Sequence, residues 1–146
     1  SGGNLSKVEK NISILNKNLK NANISATLTT CLYNITKFVN IIDYFNNLNV
    51  NFHTSLVQYP KSLSIKLLSP KLKQKVTKEF KLWLLSNKHI DKEKYKRIEK
   101  FGSNVINYMN AEDWHHEWQS FLNYSFILDK HHSTNLFEIY PEYDKK

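Results

Sequence analysis

The sequence predicts an α/β fold: a helix-strand-helix-strand unit followed by about three helices. Three observations carry this reading. Residues 23–30 alternate apolar side chains (Ile24, Ala26, Leu28) with small hydroxyls (Ser25, Thr27, Thr29), the period-2 pattern of a strand with two different faces. Residues 35–48 place Ile35, Phe38, Val39, Ile42 and Phe45 at helical spacing, and a second strand-like run comes next at 50–59. From Ser69 to Leu128 the apolar residues recur at helical spacing. Two strands joined by a helix are almost always parallel, with a right-handed crossover. Ligands in such folds sit at the C-terminal strand ends, here Thr29-Thr30-Cys31 and Val57-Gln58-Tyr59-Pro60. A closed eight-stranded barrel needs about 200 residues or more. With 146 residues, the chain can supply only the last part of a barrel or an open sheet, plus a helical extension.

In chain order, Ser1-Gly2-Gly3 is either native loop or a remnant of cloning, and Asn4 is placed to cap a helix. Leu5, Val8, Ile12, Leu15 and Leu19 form that helix's apolar stripe. The helix needs a sheet to lie on, and the strand expected before it is missing. Asn34 is placed to cap the helix after the first strand, and Tyr59-Pro60 to close the second. Lys61–Leu68 reads as a connector of low periodicity. Ser69-Pro70 is a strong helix start, serine at the cap and proline in the first turn. Leu72, Val76, Phe80, Trp83 and Leu84 form its stripe. Asp91 opens the next helix, with Tyr95, Ile98, Val105, Ile106 and Met109 on a face and Gly102 weakening its middle. Asp113 opens a third, with Trp114, Trp118, Phe121, Leu122 and Leu128. The tail 136–142 is expected to pack back as an extended segment. These elements divide the chain into residues 1–68 and a helical extension, 69–146.

Composition narrows the function classes. The chain is 40% hydrophobic and 13% aromatic, as a globular domain is. No apolar run approaches the roughly 18 residues of a membrane span, and no secretory leader is evident. A single cysteine, Cys31, excludes an internal disulfide, a cysteine-rich zinc site and a self-contained iron–sulfur site. A cytoplasmic location is the expectation. The net charge of +8 is concentrated: residues 61–100 carry 12 Lys and one Arg against four acids. Such a segment can attract phosphates. Yet 20 of the 21 basic residues are lysine, and arginine is the better reader of phosphate and guanine. With 18 Asn and 12 Ile alongside, the lysines fit an AT-rich coding sequence and a solvated surface better than a nucleic-acid patch. A stand-alone Lys-rich module binding nucleic acid or protein is the alternative reading.

Three stretches together resemble the radical SAM proteins of the twitch/SPASM-like group. They are "SGGNLSKVEKNISILNKNLKNANISATLTTCLYNI", "VNFHTSLVQYPKSLSIKLLSPKLKQKV" and "WQSFLNYSFILDKHHSTNLFEIYPE". The shared features are strand-Thr-loop-Asn-Ile, Tyr-Pro followed by Leu-Ser-Ile, and Leu-Asp before Pro-Glu, and they cover nearly the whole chain. The resemblance implies a partial (β/α) barrel in residues 1–68, with Ser1-Gly2-Gly3-Asn4 as native loop, and a helical cap. It also implies S-adenosylmethionine and a 4Fe-4S cluster as cofactors of the full-length enzyme. That group's cluster is held by a three-cysteine CxxxCxxC loop, which this chain lacks. The chain then reads as the C-terminal portion of an enzyme acting on an unknown substrate, inactive alone. Where the group often carries Arg after Leu-Asp, this chain has His131-His132.

The resemblance names Thr27, Thr29, Asn34 and Ser55 as residues lining the S-adenosylmethionine or substrate site. From the residues alone, Ser25, Thr27 and Thr29 share a strand face, and Asn34 equally serves as a helix cap. His53, alone on a strand, is more often a hydrogen-bonded structural residue than a base. His115-His116 and His131-His132 lack metal-ligand spacing. Trp114 and Trp118 are better placed for packing than for base stacking. Cys31 has no base beside it in sequence and reads as a structural thiol. No catalytic residue and no metal ligand is assigned.

Overall fold

A computed structural model describes residues 4–18, 24–48 and 50–144. The expected positions Ser1–Gly3, Leu19 and Asn21–Asn23 lie outside the described residues. The chain runs α1 (Leu5–Asn18), β1 (Ser25–Thr30), α2 (Leu32–Ile35), α3 (Phe38–Asn47) and β2 (Asn51–Leu56). Two 3₁₀ turns, Lys61–Leu63 and Ile65–Leu67, lead to α4 (Pro70–Ser86) and α5 (Lys92–Asn110). A further 3₁₀ turn, His115–Glu117, precedes α6 (Trp118–His132), and α7 (Leu136–Ile139) leads to a last turn at Pro141–Tyr143.

β1 and β2 are parallel, in register from Ser25↔Asn51 to Thr30↔Leu56. The expected partial barrel is not found. Helices make up 70% of the structure, and the described residues hold one open sheet of two strands. The cause is the course of the chain after β2. A barrel wall would send it back to a third strand. Instead, residues 65–68 coil through a short turn and drive Ile65, Leu67 and Leu68 to complete burial. The stretch expected as a loose connector is thus part of the core. It packs against α2, α5 and the His115–Glu117 turn, so the next apolar residues enter a helical interior and not a sheet.

That interior draws on both halves of the chain. Phe38, on α3, meets Phe80 of α4 at 5.8 Å between ring centroids and Phe101 of α5 at 6.4 Å. Phe52 of β2 meets Phe101 at 4.8 Å, edge to face, and stacks on Phe45 at 5.3 Å. Ile98, Val105 and Met109 complete it from α5. Gly102 has a packing reason: a Cβ there would lie 2.1 Å from Cζ of the buried Phe80 ring. The glycine costs α5 some helix propensity but lets the two longest helices approach.

The caps agree with the sequence at several ends. Ser69 Oγ accepts from Leu72 N–H, Asp91 Oδ1 from Glu93 and Lys94 N–H, and Asn4 Oδ1 from Lys7 N–H. Four elements differ from expectation: the helix expected to open at Asp113 begins only at Trp118, after the 3₁₀ turn His115–Glu117. The helix expected at 35–48 breaks at Thr36-Lys37 into α2 and α3. The second strand stops at Leu56, before Tyr59-Pro60. The tail is helical, not extended: Asn135 Oδ1 caps α7 by accepting from Phe137 N–H.

Candidate functional site

In a parallel pair, side chains at matched register project to the same face of the sheet. One face carries Ala26, Leu28, Phe52, Thr54 and Leu56, and packs on the core. The other carries Ser25, Thr27 and Thr29 from β1 and Asn51, His53 and Ser55 from β2. All of these but the half-buried Asn51 are exposed. Thr27 is in register with His53, and Thr29 with Ser55. The structure therefore brings three of the expected residues, Thr27, Thr29 and Ser55, onto one open face of hydroxyls with an imidazole among them. Alternation in the sequence predicted the β1 half. The β2 half was weaker in sequence, because Phe52-His53-Thr54-Ser55 mixes polar residues onto both faces.

Asn34 is placed differently. It sits in α2, past the strand end, and both ends of its amide are engaged with backbone. Nδ2 donates to Thr29 O at 2.7 Å, and Oδ1 accepts from Cys31 N–H at 3.0 Å. It clips the strand end to the first turn of α2, reaching backwards rather than capping forwards. Thr30, expected at the ligand end, lies instead on the covered face, 1% exposed, its hydroxyl 2.7 Å from that of Thr54.

The loop after β1 is held from far away in sequence. Tyr143 donates to Leu32 O and Tyr140 to Tyr33 O, while the Tyr33 and Ser125 hydroxyls are 2.9 Å apart. Burial pushes the phenols of Tyr33, Tyr140 and Tyr143 up. Trp118 joins this cluster through Phe121 and Tyr143, at 4.9 and 5.3 Å between ring centroids. Cys31, inside this loop, is half-buried, and burial pushes its thiol up. An activated thiolate needs the opposite shift.

The basic segment 61–100 is partly internal. Lys66 is 7% exposed; its Nζ lies 2.5 Å from Glu112 Oε1 and 4.6 Å from the ring centroids of both Tyr108 and Trp114. Trp114 Nε1–H donates to the other Glu112 oxygen at 2.8 Å. These two donors hold the Glu112 carboxyl below its usual range. Lys73, 6% exposed, donates to Glu112 O at 2.9 Å and lies 3.7 Å from Asp113. Desolvation pulls the Lys73 ammonium down, and the backbone N–H of His115 holds Asp113 below its usual range. Lys94 donates to Asn46 O at 3.0 Å, and Arg97 to Asn51 Oδ1. Three of the segment's thirteen cations, Lys66, Lys73 and the half-buried Lys94, thus serve the protein's own packing, while Arg97 stays exposed.

The histidine pairs do not converge. His115 Nδ1 is 2.9 Å from Leu67 O, and His131 and His132 stack on each other at 4.8 Å. Among the described residues, no three His, Cys, Asp or Glu side chains come together as metal ligands. A 4Fe-4S cluster of the implied kind needs three thiolates, and the chain has one cysteine. The residues do not fit that cluster. Among the described residues no helix is long and apolar enough to cross a membrane. Comparison of the chain with protein-family models, with curated proteins and with solved structures gives no match.

Proposed function

We propose that this chain is the C-terminal portion of a radical SAM enzyme, in which the polar face of the β1–β2 sheet lines the site for S-adenosylmethionine or substrate. The observation that carries the reading is that face itself. On the open side of a sheet buried on the other, Ser25, Thr27, Thr29 and Ser55 present exposed hydroxyls in two facing rows. The same residues suit a ligand rich in hydroxyl, amino and carboxylate groups. Thr27, Thr29 and Ser55 would contact it, and His53 stands beside them. Asn34 supports the reading as a positioning residue: it sets the end of β1 and the loop after it, where ligands of parallel sheets bind. The cluster would be supplied by another part of the enzyme, so the chain alone is inactive. A cytoplasmic location and an unknown substrate go with this reading.

The nucleic-acid alternative is weaker, because Lys66 and Lys73 are buried against Glu112 and Asp113 and Lys94 is half-buried against Asn46 O. The test is to sequence the coding DNA upstream of Ser1. An in-frame extension of about 100 residues or more carrying a CxxxCxxC loop is the expected result. A start codon at or just before Ser1 overturns the enzyme reading. A salt titration against single-stranded nucleic acid would then test the alternative.

A further inference from the structure

A cavity of about 380 Å³ lies where three parts of the chain meet, and it shares no residue with the polar sheet face. Ser69 and Pro70 open α4 on one side, the His115–Glu117 turn and the start of α6 bring His115 and Trp118, and the turn at Pro141–Tyr143 closes it. Its volume falls in the range of small-molecule sites, about 300–1,000 Å³. The last turn is anchored, since Tyr143 is 5% exposed and donates to Leu32 O. This wall of the cavity is thus in place without a ligand.

The lining is aromatic, with a few polar groups. Trp118, half-buried, meets Tyr143 edge to face at 5.3 Å and lies 5.7 Å from the His115 ring. The Tyr143 hydroxyl is engaged by Leu32 O, so Tyr143 offers the cavity its ring. Pro70 and Leu72 add apolar surface. His115 offers an acceptor of known identity. Its Nδ1 lies 2.9 Å from Leu67 O, and a carbonyl oxygen can only accept. The proton of the neutral ring is therefore on Nδ1, and Nε2 is the acceptor left for a ligand.

Two opposite charges complete the lining. Lys71 is exposed and Glu142 half-buried, and among the described residues neither is in an ion pair. Burial works against the Glu142 carboxylate, but its own backbone N–H and the more distant Lys37 and Lys75 keep it below its usual range and ionised. An aromatic cavity flanked by one cation and one carboxylate suits a ligand with both charges at one end and an aromatic body at the other. We infer that this cavity binds an aromatic α-amino acid whose ring carries an N–H or O–H: Lys71 takes its carboxylate, Glu142 its ammonium, Trp118 and Tyr143 its ring, and His115 Nε2 the ring's donor.

The test is isothermal titration calorimetry of the intact chain with L-tryptophan as the probe. Saturable binding at one site is expected, with a dissociation constant of about 1 mM or tighter. Ligands lacking one group should each bind about tenfold or more weakly. These are tryptamine, without the carboxylate; indolepropionate, without the ammonium; and the benzothienyl analogue of tryptophan, whose sulfur replaces the ring N–H. Lys71→Gln should close the gap between tryptophan and tryptamine, and Glu142→Gln the gap between tryptophan and indolepropionate, which assigns each charge to its partner. No binding of tryptophan at about 10 mM overturns the proposal. So do equal affinities for all four ligands, and so do gaps that survive both substitutions, which would place the binding elsewhere. If Glu142→Gln does not fold, Lys71→Gln at its exposed position decides alone through the tryptamine comparison. Occupancy of this cavity is independent of the enzyme reading, which the upstream sequence decides.

Discussion

α1 and α5 carry the same kind of apolar stripe, yet the structure uses them in opposite ways. On α5, Ile98, Val105 and Met109 are no more than 1% exposed, and Gly102 lets the Phe80 ring press against the backbone. On α1, Val8 and Leu15 remain exposed, and among the described residues a Glu9–Tyr44 hydrogen bond ties it to the rest of the chain. The two faces of the β1–β2 sheet differ likewise: one is core, the other an open row of hydroxyls. Helical periodicity reports that a helix has a face to bury. It does not report whether the partner for that face is present.

The contrast can be broken most sharply at Phe38. Phe38→Ala is expected to cost about 3–5 kcal/mol in chemical denaturation, because the ring sits between Phe80 and Phe101 in a core that cannot collapse around it. Gly102→Ala is next. Propensity alone favours alanine by about 1 kcal/mol, whereas overpacking costs about 1–3 kcal/mol. With Phe80 Cζ 2.1 Å from the new Cβ, the overpacking should win and the melting temperature should fall. A rise would mean that the Phe80 ring moves aside freely. Asn34→Ala releases Thr29 O and Cys31 N–H and should cost about 1–2 kcal/mol. Its signature is local: Cys31 should react faster with a thiol reagent while the Phe38 core stays intact. An unchanged thiol rate would remove Asn34 from the role of positioning this loop. The smallest effect is expected on α1, where Leu15→Ser should change stability by less than about 0.5 kcal/mol. A loss there comparable to that of Phe38→Ala would show that α1 is as much a part of the folded unit as α3.

Much of the chain was legible residue by residue. Ser69-Pro70 and Asp91 start their helices where the cap chemistry places them, and Ser25–Thr30 forms a strand with the faces its alternation predicts. The candidate face was half legible: β1 announced its hydroxyls, whereas β2 needed the register to show that His53 and Ser55 stand beside Thr27 and Thr29. Asn34 was recognisable as a residue of consequence, but its backward clip onto Thr29 O was not, since the side chain's direction depends on where α2 begins. Residues 65–68 were misjudged for a related reason. Consecutive 3₁₀ turns have no sustained period, so their burial leaves no pattern to read.

Local chemistry along the chain was enough to set the caps, the turns, the helical stripes and the parallel crossover between β1 and β2. These depend on contacts a few residues apart and on the chirality of the backbone, which any stretch carries with it. That the strands stop at two, with no barrel wall, was settled only when distant segments met. So was the inward turn of Lys66 and Lys73 to Glu112 and Asp113, and the reach of Tyr140 and Tyr143 across more than a hundred residues to hold the loop after β1. Such outcomes rest on which remote groups arrive together, because a buried lysine or tyrosine needs a hydrogen-bonding partner that its own stretch of chain does not supply.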